Sequence, residues 1–347
     1  MTATVTANSP HVTPSKAAVN ELRARAIIIP SLSLDANPAQ LSPIGAAIGN
    51  GRIVGMGEDR DTREFCALKV RLFEYLAQRQ GFTVLALKTS WGAGRTVDRY
   101  IQGGPGSAET AAAGLRLPAQ DSPAMLDLIT WMRAYNMRPG KFQSLSVAGF
   151  DLNDPAGPAK YLEFALAYGG VQPESTRATL ACAFSVNKAC RDRVAGLQPE
   201  VSNIADVNTR NIAQSALSNI LEYIDASGAR DKDEVRNPAM AHNVLWMVSN
   251  QFAGQKIILW APRDQIALSR AHAATDRPMG YHLRQRFGRS YYSIGQALGV
   301  GKRDAALYSS LQGAAFLDLR SVPRSSALGR YLVLPGPFDG IAYVPAF

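Results

Sequence analysis

Six apolar runs of strand length punctuate this sequence, and stretches of helical period separate them. The runs are "RIVGM" (52–56), "GFTVLAL" (81–87), "LSVAGFD" (145–151), "KIILWA" (256–261), "YYSIG" (291–295) and "GIAYVP" (340–345). Between the first two lies "TREFCALKVRLFEYLAQRQ", where Phe65, Leu68, Leu72 and Leu76 recur on one helical face. "SPAMLDLITWMRAYN" (122–136) reads as a helix with Ser122 as its cap and Pro123 at its first position. "NPAMAHNVLWMVSNQ" and "MGYHLRQRFG" read as two more. Strands alternating with helices every 30–40 residues predict an α/β fold: a mixed, mainly parallel sheet flanked by helices.

Residues 155–235 break that rhythm. "AKYLEFALAYGG", "ATLACAFSVNKACRDRVAG" and "NTRNIAQSALSNILEYIDAS" carry helical period and no strand, which predicts a helical insertion or lid. The expected organisation is a disordered leader over 1–20 and the first part of the α/β core over 21–154. The insertion follows over 155–235, and the second part of the core over 236–347.

Composition narrows the partners. The net charge is +9, but the basic residues are dispersed, and aromatics at 8% are not interleaved with them. Nucleic acid is therefore not expected, and an anionic small molecule suits the charge as well. No run of about 18 apolar residues predicts a membrane span, and the polar N-terminus has no apolar signal segment. Cys66, Cys182 and Cys190 have no CxxC spacing, which predicts reduced thiols in a cytoplasmic protein.

In open α/β sheets the ligand site lies beyond the carboxyl ends of the parallel strands. Those ends carry Glu58, Asp59, Arg60 and Asp61, then Lys88, Asp151, and Pro262 to Gln265. Acids and bases from distant segments are thereby expected to meet.

The blocks "LSPIGAAIGNGRIVGMGE", "TREF", "WMRAYN", "GFD", "AMAHNVLWMV", "ILWAPRDQIA", "MGYHLRQRFGRSYYSIG" and "FDGIAYV" follow one another in a familiar order. In this the chain resembles the erythromycin esterase family over most of residues 40–347. The resemblance implies a macrolide-sized cleft and a metal-independent hydrolase in which a histidine and glutamates activate water. The family's first motif reads Gly-Glu-x-Thr-His-Gly-Thr-x-Glu-Phe. Here it is Gly57-Glu58-Asp59-Arg60-Asp61-Thr62-Arg63-Glu64-Phe65, one residue shorter and without the histidine. The family's arginine falls on Lys69 and its second glutamate on Lys88. Its Trp-Ala-His-Asn-x-His block becomes Trp260-Ala261-Pro262-Arg263-Asp264-Gln265, without either histidine.

Activating water at neutral pH calls for a group that titrates there, usually histidine. Of the remaining histidines, His11 lies in the leader, His272 in a polar loop, and His242 and His282 in helices. A Lys88 ammonium near Glu58 would stabilise the carboxylate and lower its pKa; Lys88 paired with Glu58 or Asp151 is the structural alternative to a catalytic role. Three acids among several cations favour a salt-bridge network over a metal site, and neither cofactor nor metal is expected.

Three readings follow. The first is an enzyme that cyclises, eliminates or isomerises a polyketide-like small molecule, with Glu58, Lys88, Arg263 and Asp264 catalytic. Asp59, Arg60, Asp61, Lys69, Trp91, Asp151, Gln265 and His282 would line its substrate site. The second is a non-catalytic metabolite-binding or self-protection protein. The third is a residual ester or lactone hydrolase. Either a monomer or a homodimer is compatible with each.

Overall fold

A computed structural model describes residues 13–58, 62–117, 122–140, 143–269, 277–298, 305–334 and 336–345. Asp59, Arg60, Asp61, His11 and His272 lie outside the described residues.

Eight strands of the described residues form one sheet: β1 (Ile27–Ile28), β2 (Ile53–Glu58), β3 (Phe82–Ser90), β4 (Ser146–Asp151), β5 (Lys256–Pro262), β6 (Tyr291–Leu298), β7 (Ala315–Asp318) and β8 (Gly340–Val344). Their order is β1-β7-β8-β6-β2-β5-β3-β4. The six strands from β8 to β4 are parallel, and β7 and β1 complete one edge antiparallel. The six runs read from the sequence are those six parallel strands. They are buried on both faces, which is why they appear as unbroken apolar runs.

The helices preceding the insertion are α1 (Lys16–Arg25), α2 (Ser42–Ile48), α3 (Arg63–Gln80), α4 (Trp91–Ile101), α5 (Ala108–Ala112) and α6 (Pro123–Met137). Next come α7 (Ala156–Tyr168), α8 (Pro173–Leu180), α9 (Lys188–Ala195), α10 (Gln198–Ser202) and α11 (Val207–Gly228). After them follow α12 (Lys232–Trp246), α13 (Arg263–Ile266), α14 (Met279–Phe287), α15 (Ala305–Tyr308) and α16 (Ala327–Tyr331).

Side-chain alternation along the strands makes two cores. Val54, Met56, Leu87 and Trp260 pack with α2 to α6 on one face, while Ile53, Ala86 and Leu259 pack with α1 and α12 to α16 on the other. Helices α7 to α11 have an apolar cluster of their own, centred on Leu162, Leu166, Val194, Leu217 and Ile220.

Local chemistry sets the elements around the strand ends. Thr62 caps α3 by accepting from the Phe65 amide, and Gly81 ends it in the left-handed conformation at φ 71°. β3 turns into α4 without a loop, because Ser90 is both the last strand residue and the helix cap. α4 then lies against β4 at Gly94, where a β-carbon would come within 2.2 Å of the Gly149 backbone nitrogen. Gly92 and Gly157 make the same close approach between α4 and α7.

Two expectations are corrected. The helix expected to begin at Asn237-Pro238 starts five residues earlier, at Lys232, with Asp231 capping it and Pro238 inside. Cys182 and Cys190 form a disulfide with Cα atoms 5.7 Å apart, leaving Cys66 as the buried free thiol. Val186 in the left-handed region (φ 44°) turns the intervening chain back and brings the two sulfurs together.

Candidate functional site at the carboxyl ends of the strands

β2, β5, β3 and β4 are neighbours in the sheet and parallel, so Glu58, Pro262, Ser90 and Asp151 all end strands on one rim. Alternation then divides the residues between the two faces. Glu58 points to the α3 face and ion-pairs with Lys69, whose side chain is only 2% exposed. The Lys69 ammonium also sits 3.8 Å from the centroid of the Trp260 ring and 5.6 Å from that of Phe65. An acid, a buried cation and an indole thus meet on that side.

Lys88 belongs to the opposite face. Leu87 packs into the α3-side core and the Thr89 hydroxyl donates to the Leu115 carbonyl on that same side, so the residue between them faces α12 and α13. β5 also stands between β2 and β3, adding two strand spacings of about 4.8 Å each. The alternative pairing of Lys88 with Glu58 does not form. Nor does Lys88 pair with Asp151, which is 1% exposed and held through both oxygens by Arg236 of α12, at 2.8 and 2.5 Å. No ion pair or hydrogen bond joins Lys88 to another described residue.

The α13 turn carries the residues that stand at the family's histidine block. Arg263 places its guanidinium 4.7 Å from the centroid of the Phe338 ring, and its backbone covers Gly57, where a β-carbon would lie 2.6 Å from the Arg263 Cα. Asp264 is exposed, and Gln265 is buried with no hydrogen-bond partner for its Oε1. His282 is half-buried on α14, edge-on to Tyr281 at 5.5 Å; burial and the charge of Arg277 lower its pKa. His242 hydrogen-bonds Glu222 at 2.7 Å through Nδ1. Among the described residues no group of three or more His, Cys, Asp or Glu is placed to hold a metal, and no helix is long and apolar enough to cross a membrane.

An erythromycin esterase family model matches residues 77–321. The chain belongs to the erythromycin esterase family. The matched span begins within α3, after the charged corner at the end of β2. A Bacillus cereus protein of known structure superposes with a TM-score of 0.83 at 19% identity, over 94% of this chain and 96% of that one. A succinoglycan biosynthesis protein gives 0.80 at 18%, over 97% and 98%. A mutant of the erythromycin esterase EreC in its open conformation gives 0.69 at 16%, over 91% and 96%. At such identities the likeness is one of fold.

Lys69, which the resemblance set against the family's arginine, holds Glu58, and Lys88, set against its second glutamate, lies on the other face of the sheet. The sequence reading included Trp91 but missed its surroundings. Trp91 opens α4 and borders an open cavity of about 840 Å³ between α4, the segment that follows α5, and α7. Trp91 and Tyr161 meet edge to face at 5.4 Å, with the Arg95 guanidinium 4.6 Å from the first ring centroid and 5.5 Å from the second. Arg99, Arg116 and Lys160 also border this space. The signal was present in "WGAGRTVDRY", where Trp91, Arg95 and Arg99 recur every four residues on one helix face.

Proposed function

We propose that this chain is an enzyme of the erythromycin esterase fold that has exchanged water activation for electrostatic and proton-transfer chemistry. Its substrate is a polyketide-like small molecule, and the reaction is a cyclisation, elimination or isomerisation. One observation supports the reading: among the described residues Lys88 has no counter-ion, while Glu58 and Asp151, the acids that could have neutralised it, are engaged by Lys69 and Arg236. A cation held in that way can stabilise an enolate or alkoxide as it develops on a bound substrate. Arg263 adds a second donor nearby in the fold. The exposed Asp264 carboxylate, or Glu58 in its pair with Lys69, gives or takes the proton.

A second reading, a non-catalytic metabolite binder, has its own support. Glu58 and Asp151 both sit in ion pairs that a purely structural role explains, and the cavity is bordered by α4 and α7, not by Glu58.

The deciding measurement is the exact mass of whatever accumulates when the gene is deleted, compared with the normal product. Equal masses support cyclisation or isomerisation. A loss of one water from intermediate to product supports elimination, and a gain of one water supports a hydrolase instead. No accumulated intermediate, with only lower yield or greater toxicity, favours the binder. With the intermediate in hand, Lys88→Ala is expected to abolish turnover while changing affinity less than about tenfold, roughly 1.4 kcal/mol.

A further inference from the structure

The α4–α7 cavity has a chemical character that specifies its ligand. Four exposed cations border it, Arg95, Arg99, Arg116 and Lys160, and none of their side chains makes an ion pair or hydrogen bond with another described residue. Several cations elsewhere are matched: Lys69 to Glu58, Arg177 to Glu163, Arg191 to Asp225, Arg236 to Asp151, and Arg284 and Arg320 to Asp339. The acid bordering the cavity, Asp154, already accepts from the Ala156 amide at 2.9 Å. The first turn of α4, Ser90 to Ala93, also faces the space and adds the positive end of the helix dipole.

An apolar surface lies beside this charge. Trp91, Tyr161 and Phe164 form a chain of rings with centroids 5.4 and 6.4 Å apart. Phe164 is 65% exposed, although aromatic side chains this size are ordinarily packed. Arg95 lies over two of the rings, and a guanidinium beside aromatic faces suits recognition of an oxyanion. Arg116 is held at φ 51°, in the left-handed region that non-glycine residues seldom adopt.

We propose that this cavity is a binding site for an amphipathic anion: a carboxylate or phosphate ester attached to a planar, unsaturated or aromatic body. The oxyanion meets Arg95, Arg99, Arg116 and Lys160, and the planar body lies along Trp91, Tyr161 and Phe164. The inference rests on the functional reading above only in taking the occupant for the substrate; the binding chemistry stands independently of Lys88.

Four probes test it by calorimetry: 2-naphthoate, 2-naphthyl phosphate, 2-naphthylmethanol and 2-naphthylmethylammonium. At least one anion is expected to bind ten times or more tighter than the alcohol, with the ammonium weakest. Raising salt from about 50 to 300 mM should weaken the anion and leave the alcohol unchanged. Arg95→Gln, Arg99→Gln and Lys160→Gln should each weaken the anion several-fold, with the alcohol unaffected. Arg116→Gly removes the charge while suiting the backbone, and should do the same. A preference for the phosphate over the carboxylate, or the reverse, identifies which oxyanion the site takes. Equal binding of all four probes, no binding of either anion at millimolar concentration, or indifference to the four substitutions overturns the proposal. Lys88→Ala separates the two claims. If turnover survives it while the anion preference persists, the catalytic reading fails and the site stands; if turnover is lost but the probes do not discriminate, the reverse holds.

Discussion

Lys69 sits in an environment that its residue type seldom accepts. An ammonium buried to 2% exposure is tolerated because Glu58 neutralises it and the Trp260 face lies 3.8 Å away. Removing one charge from such a pair takes a neutralising contact from the other in a dry setting, at a cost of up to about 3–5 kcal/mol. The nearby ring should return part of that, so Glu58→Gln is expected to lose roughly 2–4 kcal/mol in a denaturant titration. Replacing both partners, Glu58→Gln with Lys69→Met, should leave a protein more stable than Glu58→Gln alone. Strict additivity of the two single changes would mean that the pair is not coupled. The sequence carried the identity of this pair but not its geometry. Lys69 was legible as standing where the resemblance has an arginine, but Glu58 was weighed as a partner for Lys88, because which face of a strand a residue takes depends on where the strand begins. β3 extends three residues past the apolar run that marked it, and its register against β4 shifts between Leu87 and Ser90.

At the scale of elements, what was legible followed burial. Strands covered on both sides wrote themselves as apolar runs, whereas the edge did not: β1 is two residues long and β7 four, and their pairing with β8 comes from tertiary context. The cleft was illegible for a related reason, since it depends on how closely α4 approaches its neighbours. Gly94 allows that approach. Gly94→Ala would drive a methyl into the β4 backbone at Ala148 and Gly149, which cannot move aside as a side chain would. The expected cost is about 1–3 kcal/mol, together with weaker binding of the anionic probe as Trp91 and Arg95 shift. Gly114→Ala is the control: it borders the same cavity, but its nearest contact would be an ordinary 3.8 Å, so stability should change by less than about 0.5 kcal/mol. If both variants behave alike, close packing of α4 on β4 is not what shapes the cleft.

Across the whole molecule, helices α7 to α11 have a separate apolar cluster, and two features tie that cluster down. The Cys182–Cys190 disulfide closes a short loop within it, for which chain entropy gives about 2–3 kcal/mol. Thiol titration of the denatured, unreduced protein should therefore find one reactive cysteine, Cys66, and three only after reduction. The second is the His242–Glu222 hydrogen bond, which joins α12 to α11. Glu222 raises the His242 pKa by hydrogen bonding and by its charge, against the opposing effect of burial. A histidine with a raised folded pKa contributes stability that is complete below the unfolded value of 6.5 and is lost as pH climbs through the folded one. The imidazole is 51% exposed, so solvent screening keeps the effect below about 1 kcal/mol. That is too small to unfold the protein but enough to change how often α11 opens from α12. Amide exchange along α11, corrected for its intrinsic pH dependence, should show more protection at pH 6 than at pH 8. His242→Gln should remove the difference, because Gln holds the same polar contact without titrating. A difference that survives the substitution would assign the pH response to another group and leave the α11–α12 seam indifferent to proton concentration.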